Sequence, residues 1–309
     1  MQNKIAFQYF KDDLFYSNLQ NLLKPKHQSI KILMIGDVLG RGGRKITKTI
    51  LPQLKRTAQI DFVTMNAENL AGGFGITLKI YEEMKLAGVD VFTMGNHWKD
   101  KAEVHVIRKN NNDLVLPQNL NGLSDVETVP SFYISDRNKS ISVINLMGNF
   151  AMKEEYKDPF LILQKEKENF IDKVKSGSHI VIADIHAEAS SEKQAIAWYY
   201  DGILAAQIGT HTHTPTSDER LTNKGTAFIT DVGMTGAYDS VIGMNKERVI
   251  SRYINSSLRL PYEVADKELW FCAFLVEVCP SLNTSIACHR LQCRNLDEKH
   301  WMVSSILKV

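Results

Sequence analysis

The sequence lacks several features that would each have placed it in a particular class of protein. No apolar run reaches the roughly 18 to 20 residues that a membrane-spanning helix requires. The 37 lysines and arginines exceed the 35 aspartates and glutamates by only two, so the chain carries no strong basic patch for RNA or DNA. The segment from Met1 to Phe7 leads into charged residues rather than an apolar core, so we expect no signal peptide. A cytoplasmic protein without membrane contact is the simplest interpretation.

Common sequence motifs of other enzyme classes are also absent. The glycine-rich segment from Gly40 to Lys45 has neither the G-x-G-x-x-G nor the Walker spacing of phosphate-binding loops. No G-x-S-x-G elbow supports a serine hydrolase. The four cysteines lie near the C-terminus without C-x-x-C spacing, which favours buried thiols on two strands over a zinc knot; they are Cys272, Cys279, Cys288 and Cys293.

The chain divides at about residue 28. Within residues 1–28, apolar residues recur at helical spacing and Pro25 closes the segment, which predicts a helical N-terminal extension; these residues are Leu14, Phe15, Leu19, Leu22 and Leu23. This extension either docks on the main domain or serves as an arm that binds a partner. No linker-like change of composition follows, so residues 29–309 are predicted to form a single domain.

Strands and helices alternate from residue 29 onward, which predicts an α/β fold with a parallel sheet covered by helices. Short apolar strands are predicted over residues 30–35, 60–65, 89–94, 180–185, 203–208 and 226–231. A glycine-rich turn at Gly40, Gly42 and Gly43 is expected to precede a helix over residues 45–56. Antiparallel pairs are expected over residues 131–146 and 269–292.

Six of these strands end in polar residues that could bind a ligand. In open α/β sheets, ligands bind beyond the carboxyl ends of the strands. Each residue alone has an ordinary explanation as a helix cap, a turn or a hydrogen-bonded core histidine. Together they supply nitrogen and oxygen donors without sulfur, a set that suits zinc, iron(II), manganese or cobalt. The residues are Asp37, Glu68 with Asn69, Asn96 with His97, His186, His211 with His213, and Asp231.

Several of these segments resemble the calcineurin-like metallophosphoesterases. They are Gly36-Asp37, Asn66-Ala67-Glu68-Asn69, Gly95-Asn96-His97, His186 and Gly209-Thr210-His211-Thr212-His213. The Asn-Ala-Glu-Asn segment and the His-Ala-Glu-Ala segment at residues 186–189 resemble more closely the bacterial YmdB-type branch, which is described as 2′,3′-cyclic-nucleotide phosphodiesterases. The wider superfamily usually has Asp-x-His and a bridging aspartate, where this chain has Leu39 and Glu68, as the branch does. Residues 1–28 lie outside the similarity.

The resemblance implies a four-layer α/β/β/α sandwich with two mixed sheets, a homo-oligomer and a dinuclear metal centre. One ion would be held by Asp37, Asn69 and His213. The other would be held by Asn96, His186 and His211, with Glu68 bridging the two. His97 would lie beside the ions as the catalytic residue that binds phosphate oxygen or protonates the leaving oxygen. The ions would be divalent or trivalent transition metals, iron or manganese in the first place and zinc as the alternative.

We therefore predict a metal-dependent phosphodiesterase in which a hydroxide between two cations attacks a small phosphodiester, such as a 2′,3′-cyclic nucleotide. One alternative is a phosphomonoesterase or another metal hydrolase, with Arg41 and Arg44 as candidates for the cationic clamp that a dianionic monoester prefers. Another is a regulatory protein that retains the metal site and acts through partners. A role in RNA metabolism is compatible with the substrate class.

Overall fold

The computed structural model describes residues 4–11, 29–123, 126, 128–255, 257–296 and 300–307. The strands are β1 (Lys4–Lys11), β2 (Ile30–Ile35), β3 (Phe62–Asn66), β4 (Val91–Thr93), β5 (Leu114–Val115), β6 (Ser131–Ile134), β7 (Lys139–Met147), β8 (His179–His186), β9 (Ala206–Thr210), β10 (Arg220–Leu221), β11 (Ala227–Ile229), β12 (Gly236–Ala237), β13 (Leu269–Val278), β14 (Ser285–Leu296) and β15 (His300–Leu307). The α-helices are α1 (Gly40–Thr57), α2 (Leu78–Ala87), α3 (Glu103–Asn110), α4 (Pro159–Lys175), α5 (Ser190–Tyr199) and α6 (Lys246–Ile254). A 3₁₀ turn spans Ser135–Arg137.

The described strands form two mixed sheets. The larger sheet has the order β1-β15-β14-β13-β2-β3-β4-β5, with β12 paired to β13. Its strands β2 to β5 are parallel, and those on the other side of β2 are antiparallel. The smaller sheet has the order β10-β11-β9-β8-β7-β6, with four parallel strands between antiparallel edge strands.

Apolar side chains fill three layers around these sheets. One buried cluster lies between the sheets and includes Met34, Phe274 and Ile182. A second joins the larger sheet to α1, α2 and α3, and a third joins the smaller sheet to α4 and α5. All six residues of β2 are buried, and all except Lys31 are apolar, so this strand carries apolar side chains on both faces rather than on one. The predicted sandwich of two mixed sheets flanked by helices is confirmed.

The register of the parallel strands sets where the site can form. Ile35 of β2 pairs with Met65 of β3, and Met65 pairs with Phe92 of β4. In the smaller sheet, His186 at the end of β8 pairs with Thr210 at the end of β9. The carboxyl ends of these strands therefore lie side by side at one edge of each sheet.

The glycine-rich segment before α1 differs from the prediction, because the helix begins at Gly40 and not near Lys45. The glycines are needed for close packing rather than for a turn. A Cβ atom at Gly43 would lie 2.3 Å from the backbone oxygen of Thr235, and one at Gly42 would lie 2.7 Å from Leu269. Because these glycines have no side chains, the first turn of α1 lies directly against β12 and β13.

The N-terminal extension is not helical throughout. Residues Lys4–Lys11 form β1, which pairs antiparallel with β15 at the edge of the larger sheet. The helix predicted around Leu14 to Leu23 lies outside the described residues. Cys272, Cys288 and Cys293 are buried free thiols on β13 and β14, as predicted, whereas Cys279 is half-buried and lies just after β13. Within the described part of the chain, no helix has the length and apolar character needed to cross a bilayer.

Candidate metal centre

The predicted donor residues converge at the carboxyl ends of strands from both sheets. Asp37, the Glu68-Asn69 pair and the Asn96-His97 pair follow β2, β3 and β4 of the larger sheet. His186 is the last residue of β8, and His211 and His213 follow β9 of the smaller sheet. Most of these side chains are withdrawn from solvent: Asp37 and His186 are fully buried, and Glu68 and Asn69 nearly so.

The carboxylates and imidazoles form two groups of a size that fits a metal ion. One group contains Glu68, His186 and His211, and the other contains Asp37, Glu68 and His213. Within each group, the candidate ligand atoms all lie within 4.8 Å of one another. Glu68 belongs to both groups, so its two oxygens are shared between two neighbouring clusters of donors.

Each group also has an asparagine amide oxygen beside it. Oδ1 of Asn96 lies 3.0 Å from Nε2 of His186. Oδ1 of Asn69 lies 3.3 Å from Nε2 of His213, while its Nδ2 donates to the backbone oxygen of Gly73 at 2.9 Å. The second bond turns the amide oxygen, rather than the nitrogen, toward the donors.

Several donor atoms lie close enough to one another to bind a shared cation. Nε2 of His186 lies 3.3 Å from Glu68 Oε1 and 3.1 Å from Nδ1 of His211. Nδ1 of His186 is occupied by Thr210 Oγ1 at 3.0 Å, so Nε2 is the atom turned to the cluster. Oδ1 of Asp37 is buried without a hydrogen bond to any described residue. Nδ1 of His186 lies 3.8 Å from this oxygen, which is too far for a hydrogen bond. Because a buried carboxylate oxygen without a hydrogen bond is unfavourable, this donor set fits transition-metal ions.

Burial and neighbouring charges shift the pKa of Asp37, Glu68 and His186. Burial raises the pKa of Asp37 to about 6. Burial acts in the same direction on Glu68, but the imidazoles of His186 and His97 outweigh it and lower the pKa of Glu68 to about 2. Burial would lower the pKa of His186, yet Glu68, Asp37 and Asp184 raise it to about 9. The three carboxylates thus favour positive charge at this position.

The pKa of His211 is shifted in the opposite direction from that of His186. Burial and the neighbouring charge of His186 lower the pKa of His211 to about 3. It is therefore a neutral imidazole at physiological pH, which is the form that binds a metal. Its Nε2 lies 3.2 Å from a carboxylate oxygen of Glu188, which fixes the ring. The Glu188 contact was not predicted; the only sequence signal for it is the His-Ala-Glu-Ala segment.

Asp184 orients His186 and Glu68 through hydrogen bonds in the interior of the protein, and the sequence did not reveal this role. Its Oδ1 accepts a hydrogen bond from Thr210 Oγ1 at 2.7 Å, and the same hydroxyl contacts His186. Its Oδ2 accepts bonds from Asn66 Nδ2 at 3.1 Å and Thr93 Oγ1 at 2.5 Å. Asn66 in turn accepts the backbone N–H of Glu68 at 3.1 Å. The orientations of His186 and Glu68 both depend on this carboxylate.

The His211-Thr212-His213 turn is held in an unusual backbone conformation. His211 and His213 have φ angles of 100° and 64°, a region that non-glycine residues rarely adopt. Asp231 Oδ2 accepts bonds from the Thr212 backbone N–H at 3.2 Å and from its hydroxyl at 2.8 Å. The same oxygen lies 2.9 Å from Nζ of Lys193, which is fully buried. This ion pair anchors the turn that presents both imidazoles.

Gly95 allows the backbone after β4 to approach the donors. A Cβ atom at this position would lie 2.3 Å from both Glu68 Oε2 and His186 Nε2. Such distances are far below van der Waals contact, so no other residue fits without moving those two side chains. The Gly-Asn-His segment thus combines a close approach with the amide and imidazole that follow it.

His97 lies next to Glu68, and its role as the catalytic residue stays a prediction. Its backbone N–H donates to Glu68 Oε2 at 2.9 Å, and its Nδ1 lies 2.7 Å from Asp100 Oδ2. Its side chain is 29% exposed, so substrate can reach it.

Arg44, one candidate for a phosphate clamp, instead donates to the backbone oxygen of Leu70 at 2.5 Å and pairs with Glu83 at 3.3 Å. It therefore supports the loop after Glu68.

Comparison with known proteins assigns this chain to a family. Residues 33–291 match the family model described as YmdB-like protein. The chain belongs to the YmdB-like protein family. A YmdB-like relative from Bacillus subtilis (strain 168), named 2′,3′-cyclic-nucleotide 2′-phosphodiesterase, is 38% identical over 262 residues, which cover 85% of this chain and 96% of the relative.

Solved structures of relatives agree with the YmdB-like assignment. A crystal structure described as a novel phosphatase from Mycoplasma pneumoniae has a TM-score of 0.77 and 36% identity, covering 86% of this chain and 94% of that one. A hypothetical protein from Thermus thermophilus has a TM-score of 0.76 and 31% identity, covering 86% and 99%. The resemblance to the metallophosphoesterases is thus confirmed, and the phosphodiesterase and phosphatase names of the relatives support a hydrolase.

Replacing Lys193 tests the anchor of the histidine turn. The Lys193→Met variant leaves Asp231 buried without its cation, so we expect the free energy of unfolding to fall by about 3–5 kcal/mol. Urea unfolding followed by circular dichroism measures the change. The control is Lys48→Ala, which breaks an exposed ion pair with Glu83 and should change stability by less than about 1 kcal/mol. Equal losses in the two variants would show that the Lys193–Asp231 pair does not anchor the turn.

Substituting Gly95 tests the close approach at the centre. In Gly95→Ala, the added methyl group must displace Glu68 and His186, so we expect metal binding to weaken by about 10- to 100-fold or more, as when supporting residues of a metal site are lost. Titration with Mn²⁺ followed by calorimetry measures it. Gly236→Ala is the control, because a Cβ atom there makes only ordinary van der Waals contacts, the nearest with Leu39 Cβ at 3.4 Å. Unchanged metal affinity in Gly95→Ala would contradict the geometry described above.

Proposed function

We propose that this YmdB-like protein is a phosphodiesterase that depends on two transition-metal ions and hydrolyses 2′,3′-cyclic nucleotides or related phosphodiesters. The observation that supports the proposal is the pair of donor groups that share Glu68. Asp37, Asn69 and His213 would hold one ion, and Asn96, His186 and His211 the other. Glu68 would bridge them through its two oxygens.

The donor types support a choice among metals. Each proposed site combines imidazole nitrogen with carboxylate and amide oxygen, and neither contains a thiolate. This mixture suits iron or manganese, with zinc as the alternative. Bound ions would lower the pKa of water from about 15.7 to about 7 and neutralise charge on the phosphate oxygens.

The residues of the chain have distinct tasks in this proposal. Glu68 is fixed by the backbone N–H of His97, so its oxygens keep their positions while substrate binds. His97 is the proposed general acid. Its Nδ1 is paired with Asp100, which leaves Nε2 as the atom that would deliver a proton to the departing ribose oxygen. Asp100 would stabilise the protonated ring in the same geometry.

A diester fits the centre better than a monoester. The proposed ligands are carboxylates, amides and imidazoles, and Arg44 is committed to Leu70 and Glu83. A dianionic monoester would favour a further arginine at the phosphate. A cytoplasmic location and a homo-oligomeric state remain predictions that accompany this function.

The Glu68→Ala variant tests the metal centre as a whole. We expect it to lose both ions and to lower kcat/KM by more than about 100-fold, since even residues that only support metal ligands contribute about 10- to 100-fold. Metal content is measured by mass spectrometry on protein purified without added metal. Rates are measured on 2′,3′-cyclic nucleotides, aryl phosphodiesters and phosphomonoesters. Glu82→Ala, which changes an exposed glutamate on α2, is the control. Retention of metal and full activity by Glu68→Ala would refute the proposal.

The two histidines of the His-x-His turn are proposed to bind different ions. We expect His211→Ala and His213→Ala each to lose a different metal position, because the two side chains belong to different donor groups. Crystals of each variant soaked in Mn²⁺ would show which position is empty in anomalous difference maps. His105→Ala, at an exposed histidine on α3, should keep both positions. Loss of the same position from both variants would contradict the assignment.

A further inference from the structure

A cavity of about 680 Å³ lies between α6 and the segment that follows it. Its lining combines apolar side chains with two arginines and two tyrosine rings; the residues used below are Ile242, Arg252, Leu260 and Tyr262. This volume falls within the range of roughly 300–1,000 Å³ that is usual for small-molecule sites. Among the described residues that line it, none is a metal donor.

The cavity adjoins the metal centre on two sides. The backbone oxygen of Ile242 accepts a hydrogen bond from Nδ1 of His213 at 2.9 Å. On the other side, the ring of Phe74 meets the His97 ring edge-on, with 4.9 Å between centroids. Phe74 also lies 6.3 Å from the ring of Tyr262. A line of rings therefore runs from the proposed general acid to the cavity wall.

Tyr262 presents a partly exposed aromatic ring at the wall of the cavity. Its side chain is 55% exposed. The guanidinium of Arg252 lies 4.1 Å above its ring centroid and donates to the backbone oxygen of Leu260 at 3.1 Å. Arg252 is thus held in place against the ring. A flat aromatic surface bordered by guanidinium groups attracts planar heteroaromatic rings that carry phosphate.

We propose that this cavity, the base pocket, binds the nucleobase of the substrate by stacking on Tyr262, with the tilted ring of Phe74 at the edge of the base, while the cyclic phosphate lies at the metal centre. The inference rests on the proposed function and adds to it a pair of residues that bind the base. The identity of the base matters little for stacking, because every base has a π-face. We therefore expect broad acceptance of bases, with purines ahead of pyrimidines because of their larger ring area.

Kinetics on substrates with and without a base test the base pocket. In Tyr262→Ala, we expect the KM for 2′,3′-cyclic AMP to rise by about tenfold, the size of effect expected when one base–aromatic stack is lost. The kcat should stay unchanged, and glycerol 1,2-cyclic phosphate, which has no base, should be hydrolysed as by the wild type. Tyr262→Phe should restore the KM because it keeps the ring. Tyr133→Ala, at an exposed tyrosine on β6, is the matched control.

The outcomes separate the base pocket from the proposed function. Equal effects of Tyr262→Ala on both substrates, or no effect on either, would overturn the pocket while leaving the phosphodiesterase in place. So would a change of oligomeric mass in Tyr262→Ala, measured by sedimentation, since it would make this surface an interface between copies. If the wild type hydrolyses neither substrate, the proposed function fails. Binding of adenosine, measured by NMR, then decides the pocket: loss of that binding in Tyr262→Ala supports it, and absence of binding in the wild type overturns it.

Discussion

The buried carboxylate of Asp184 is the interaction on which the arrangement of the centre depends. It belongs to β8 of the smaller sheet, yet it accepts hydrogen bonds from Asn66 and Thr93 on β3 and β4 of the larger sheet. It therefore fixes the position of one sheet relative to the other at the edge where the donors meet. Without such a tie, donors from two independent sheets could not keep the sub-ångström order that a shared carboxylate requires.

Sequence patterns predicted the parts of this site that follow strand ends, and missed those that lie elsewhere. Glu68, Asn96 and His211 were found because apolar strands and glycine-rich turns mark where each strand stops. Asp184 lies inside an apolar strand, where a single acidic residue gives no sign of its partners on another sheet. Lys193 lies on a helix and would ordinarily be solvated; only the fold shows that it is buried beside Asp231.

The same limits explain the errors in the fold. Alternating strand and helix patterns located β2 to β4 and β8, because these elements are buried and regular. The start of α1 was misplaced because glycines suggest a turn, whereas here they permit contact with Thr235. Helix α6 was not predicted, although Val249 and Tyr253 recur at helical spacing in its sequence; none of its residues is buried. Pairing of β1 with β15 joins distant parts of the chain, which local patterns cannot predict.

The Asp37 oxygen that lacks a hydrogen bond affects the stability of the folded chain as well as the chemistry of the site. A folded chain that keeps a buried carboxylate oxygen without a hydrogen bond from any described residue is less stable than it would be with that oxygen satisfied. Under the proposed assignment, a ligand that binds only the folded state shifts the folding equilibrium toward it as its free concentration rises. The cellular supply of the metal would then set how long each molecule survives proteolysis, so that the amount of enzyme, as well as its rate, follows metal availability.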